Sequence, residues 1–105
     1  GRGSSMVSSE LRWHSEAVED AYQARDWYAE RSPLAARGFL LSLVDAIVTV
    51  TESPQRWPRT SHGCRRYVFP NQYPYTLVYR LLGEGGILII AVAHQKRHPS
   101  YWSHR

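Results

Sequence analysis

Six side chains able to hold an anion, stack on a ring or move a proton crowd into nine positions: His94, Lys96, Arg97, His98, Tyr101 and Trp102. Guanidinium groups make bidentate contacts with phosphate or carboxylate, and Tyr or Trp rings stack on bases. His94 carries an imidazole, the side chain type most often used for proton transfer. The plainer alternatives are a hydrogen-bonded structural His94 and a Tyr101–Trp102 pair that closes the core, because exposed Trp is uncommon. Arg65, Arg66 and Arg80 join the cluster if their strands pair with the one that leads into it. His94 and His98 stand four apart, a metal-binding spacing only on a helix, and Pro99 argues against a helix there. No carboxylate or thiolate lies nearby, so neither metal nor cofactor is expected. Cys64 sits beside Arg65 and Arg66, a cationic setting that can activate a thiol, but no base accompanies it and it reads as structural. The chain has no glycine loop for phosphates and no carboxylate pair for acid–base work. It is poorly equipped as a conventional enzyme.

Charge is unevenly spread. Residues 1–54 hold 5 Lys+Arg against 8 Asp+Glu, whereas residues 55–105 hold 8 against 1, with only Glu84 opposing them. Positive charge so concentrated favours a polyanionic or acidic partner, although ordinary solubility would also use it. A chain of 105 residues suits one domain. Residues 1–5 read as an expression scar, which leaves 6–105 as that domain. No apolar run is expected to span a bilayer, and nothing reads as a secretory signal. The single cysteine fits a reducing compartment, so a cytoplasmic protein without a membrane partner is expected.

The element that must position the cluster is the apolar run Ile87–Ala93, entered through Gly85 and Gly86. It reads as a strand covered on both faces, with the cluster at its exit. The other elements follow in order. Glu10–His14 alternates and predicts a short strand. Ser15 is placed as the N-cap of a helix over Glu16–Glu30, with a small-residue stripe at Ala17, Ala21 and Ala24. Ser32-Pro33 starts a second helix, whose apolar positions from Ala36 to Val50 recur at helical spacing until Thr51. Two intervening residues make the pair an antiparallel hairpin. Residues 53–63 are a loop. Arg65–Phe69 and Tyr75–Leu82 are strands, the latter with Tyr75, Leu77, Tyr79 and Leu81 on one face. Gly83–Gly86 turns into the final strand. The sum is an α+β domain: an N-terminal strand, an antiparallel helical hairpin, then three antiparallel strands forming a sheet packed on the helices.

Several of these features occur together in one known family. They are Trp27-Tyr28 before Ser32-Pro33, the Ser53-Pro54 stop, Trp57-Pro58, Arg65-Arg66, and Tyr75 to Arg80 with Val78 and Tyr79 between. The ending Ala91, Ala93, His94, Arg97, Pro99, Tyr101, Trp102 completes the set. In order and spacing, from Leu11 to Trp102, the chain resembles the RelE/ParE superfamily of type II toxin–antitoxin toxins, also called plasmid stabilisation proteins.

The resemblance implies a small bacterial toxin neutralised by a cognate antitoxin, with a toxin–antitoxin hetero-oligomer as a possible form. RelE-like members cut mRNA in the ribosomal A site; ParE-like members poison DNA gyrase. The RelE-type site takes lysines on the second strand, an arginine on the third, and an arginine and a tyrosine near the C-terminus. Arg97 and Tyr101 match the last pair. The second-strand positions hold Tyr67 and Phe69, and the third-strand position holds Thr76. That departure favours the ParE-like side. The expected binding residues for target or antitoxin are Arg65, Arg66, Arg80, Lys96, Arg97 and Trp102. Under the nuclease alternative the catalytic residues are Arg97, Tyr101, His94 and Arg80. An inert relative that only binds its antitoxin is the third reading.

Overall fold

The computed structural model describes residues 10–105, so the expected scar at residues 1–5 lies outside the described residues. The elements are β1 (Leu11–Trp13), α1 (Ser15–Ala29), α2 (Pro33–Glu52), β2 (Arg65–Val68), β3 (Tyr75–Leu81) and β4 (Ile87–His94). Short 3₁₀ turns cover Gly83–Gly85 and Pro99–Trp102. The α+β architecture is the one expected, with boundaries shifted by a residue or two. One cap differs: α1 is capped by His14, whose Nδ1 accepts the Glu16 N–H at 3.1 Å, and Ser15 is its first residue. Ser32 caps α2 as expected, accepting from Leu34 and Ala35, with Pro33 in the first turn.

The sheet runs β1-β4-β3-β2, with β1 parallel to β4 and the remaining neighbours antiparallel. One face packs on the helices around Phe39, Leu43, Leu77, Tyr79 and Ile89. The small residues Ala17, Ala21 and Ala24 let α1 lie close to this layer. The opposite face is covered by a smaller cluster, Cys64, Val78, Ile90, Ala91, Ala93 and Trp102. β4 is thus apolar on both sides because both sides are covered. Its alternation breaks once. Val78 pairs with Ala91 but Tyr79 with Ile89, leaving Ile90 as an extra residue, a β-bulge. Ile89 and Val92 therefore face the helices, while Ile90 and Ala91 both face away.

Two features of α2 bear on what surrounds the domain. At Gly38 a Cβ would collide with the Tyr73 hydroxyl, which donates to Ala35 O at 2.9 Å, so the loop after β2 approaches the helix where there is no side chain. Beyond its buried face, α2 exposes Leu34, Leu41, Val44 and Val48, Leu34 being 79% accessible. By length and composition alone this 20-residue helix would suffice to cross a membrane. That corrects the expectation of no such run. The inner side of the same helix supplies Phe39, Leu43, Ala46 and Val50 to the core.

Candidate functional site

β4 ends at His94, and the chain turns there under local control. Gln95 N donates to Pro74 O at 2.8 Å, Lys96 N to His94 Nδ1 at 3.0 Å and Arg97 N to His94 O at 3.0 Å. The His94 ring sits edge-on to Tyr75, with centroids 5.1 Å apart. His94 is therefore the corner of the turn that presents Lys96 and Arg97, both exposed. The Arg97 guanidinium lies 3.8 Å from the Tyr101 ring centroid, a cation–π contact. Among the described residues no carboxylate pairs with it.

Behind Tyr101 is a buried ion pair. Arg105 Nη1 meets Asp20 Oδ2 at 2.7 Å, the two side chains being 5% and 7% exposed. The same carboxylate oxygen accepts the Tyr101 hydroxyl at 3.2 Å and the Val92 N–H at 3.1 Å, while Arg105 Nη1 also donates to Ile90 O at 3.0 Å. β1 pairs with β4 only as far as Ile89, so these side chains complete the backbone hydrogen bonding at the bulge where β1 stops. Burial, reinforced by the Asp20 carboxylate, pushes the Tyr101 hydroxyl well above the usual phenol range. Burial opposes the charge on Arg105, but its hydrogen bond to Asp20 and the carboxylate charge outweigh that and raise its pKa. The sequence reading missed this pair. Its signal was present: Asp20 falls on the buried stripe of Ala17, Ala21 and Ala24, where a carboxylate needs a cation.

Other expected members of the cluster lie elsewhere. Arg80 pairs with Leu88 while Tyr75 pairs with His94, so Arg80 is at the far end of the sheet from the exit. It donates to His62 O at 3.4 Å and Cys64 Sγ at 3.8 Å. Arg65 faces the helix side and pins the preceding loop through Gln55 O and Trp57 O, at 3.0 and 2.8 Å. Trp102 is only 4% exposed and forms part of the second core cluster, from which it also lines a cleft on the outer sheet face. Cys64 is buried beside it. Antiparallel pairing therefore brings Arg66, not Arg80 or Arg65, to the exit.

Two clefts meet at His94 and Arg97. One, of about 330 Å³, lies between α1 and the exit and includes Trp27, Tyr28, Tyr75 and Tyr101. The other, of about 210 Å³, lies on the outer sheet face, with Arg66, Arg97 and His94 around a floor of Val68, Val78 and Ala93. Arg97 borders both, so one exposed cation serves two adjoining concave surfaces. Such a site can hold an anionic group beside a planar or apolar one.

The model of the ParE toxin family, of the type II toxin–antitoxin system parDE, matches residues 11–99. A search of curated proteins finds no match. Among solved structures, a chain of the chromosomal ParDE TA system from P. aeruginosa superposes with a TM-score of 0.60 at 19% identity. The match covers 83% of this chain and 96% of that one, and at such identity it speaks for the fold. With the family match spanning β1 to the exit turn, the chain belongs to the ParE toxins of type II toxin–antitoxin systems, within the RelE/ParE superfamily.

Proposed function

We propose that this toxin acts in the bacterial cytoplasm by binding DNA gyrase through the cationic surface around Arg97, and that a cognate antitoxin neutralises it. The observation that carries the reading is the state of Arg97. It is exposed on a turn fixed by His94, held on the Tyr101 ring, and bordered by two clefts. A cation so placed suits an acidic protein surface or a phosphate. The positions where a RelE-type nuclease carries cations argue the same way: Tyr67 packs on Trp57 and Phe69 lies in the core. For the antitoxin, the exposed aliphatic face of α2 suits the apolar side of an amphipathic helix, giving a toxin–antitoxin hetero-oligomer.

One observation favours a second reading, ribosome-dependent mRNA cleavage. Arg66, His94 and Arg97 share the outer-face cleft, with Thr76 among its lining residues, and cations around a scissile phosphate are what metal-free cleavage needs. Induction in bacteria separates the two. The gyrase reading expects DNA-damage signalling and filamentation; A-site cuts in mRNA with an immediate translation block would support the nuclease. Normal growth with soluble toxin and no antitoxin present would contradict both.

A further inference from the structure

We infer that Asp20 and Arg105 are positioning residues: the buried pair fixes Tyr101 so that Arg97 stands as a rigid, outward cation between the two clefts. The inference deepens the proposed use of Arg97 and rests on it for its functional consequence, though not for its geometry.

The chain beyond β4 is tied to the body at particular side chains. It leaves on a turn bonded to His94 and Pro74 and ends near a single 3₁₀ turn. Its ties to the body include Trp102 in the outer-face core and Arg105 on Asp20. Arg97 reaches the body through the Tyr101 ring at 3.8 Å. Tyr101 in turn donates its hydroxyl to Asp20 Oδ2 at 3.2 Å, and Asp20 is fixed by the Val92 N–H at 3.1 Å and by Arg105. The order of support is therefore β4 backbone, Asp20, Tyr101, Arg97.

The charges fit the same purpose. Two guanidiniums contact one ring, Arg97 at 3.8 Å and Arg105 at 5.0 Å from its centroid. Like charges there would repel, but the Asp20 carboxylate neutralises Arg105, and Glu16 stands 3.7 Å from its Nε. Arg97 remains the cation that faces solvent. Buried ion pairs can often be replaced by apolar residues without loss, because burying two charges costs about as much as their attraction returns. What apolar residues could not reproduce is the set of directed bonds to Val92 N, Ile90 O and the Tyr101 hydroxyl.

The experiment is solution NMR of the Arg97 Nε–H in the full chain, read beside thermal unfolding and growth inhibition. In the parent the resonance is expected upfield, shifted by the Tyr101 ring, with an order parameter well above that of the Lys96 side chain. A parent Arg97 signal at the random-coil position, as mobile as Lys96, overturns the inference without any variant. In Arg105→Gln, with Asp20→Asn as the second variant, the β2–β3 amide signals should persist while the Arg97 signal moves to the random-coil position. Growth inhibition should fall at least tenfold, to the level of Arg97→Ala. A folded variant whose Arg97 resonance is unmoved shows the pair to be structural only. If instead Arg97→Ala is as toxic as the parent, the target-binding reading fails while the NMR shift still decides the positioning.

Discussion

Arg97 and Tyr79 illustrate opposite uses of a polar side chain. Arg97 makes no bond that the fold depends on, so Arg97→Ala should leave stability within about 0.5 kcal/mol, as for most surface changes, while toxicity falls. Thermal unfolding and a growth assay on the same variant check both halves. Tyr79 is wholly buried and donates to Pro54 O at 2.6 Å, tying β3 to the loop after α2. Tyr79→Phe should cost about 1 kcal/mol by stranding that carbonyl. Burial pushes the Tyr79 hydroxyl up to about 12, with Arg65 opposing the shift. The unfolded phenol ionises near 10 while the folded one keeps its proton to about 12. Its contribution is thus complete below pH 10 and is lost as pH rises through about 12. Denaturant titrations across that range should show a steeper alkaline loss in the parent than in Tyr79→Phe.

The helical hairpin was the most legible part of the sequence. Apolar spacing from Ala36 to Val50 and the Ser32-Pro33 start fixed α2, and the alanine stripe fixed the inner face of α1. Leu43→Ala should therefore cost about 2–5 kcal/mol through the cavity it leaves, measured by denaturant unfolding. Gly38 carries the opposite lesson. In an open helix Gly→Ala gains up to about 1 kcal/mol. Here the methyl meets the Tyr73 hydroxyl and must break its bond to Ala35 O, so Gly38→Ala should lower stability, by roughly 1 kcal/mol net of propensity. Periodicity could not reveal this, since the obstacle comes from a loop 35 residues away in sequence. The β4 bulge is hidden in the sequence for a similar reason. An apolar run covered on both faces reads the same whether or not one residue is extra.

Taken whole, the molecule has a covered sheet, a cationic exit and one bare aliphatic helix face. The α+β class and the exit turn were legible because strand and helix periods differ and because β4 runs straight into the cations. Site membership was less so. Which arginines share a surface depends on register, and a shift of a few residues sends Arg80 to the far end while bringing Arg66 near. The outer face of α2 makes a prediction of its own. Leu41→Asp should leave monomer stability nearly unchanged, because Leu41 is exposed, yet abolish co-purification with a co-expressed cognate antitoxin. Retained co-purification would place the antitoxin elsewhere.

A gyrase supercoiling assay with purified toxin tests the proposed mode of action most directly. The parent should block supercoiling at a stoichiometric dose, and Arg97→Ala should need at least ten times more. Untouched gyrase activity at any dose, with the same preparation cutting mRNA on programmed ribosomes, would contradict it.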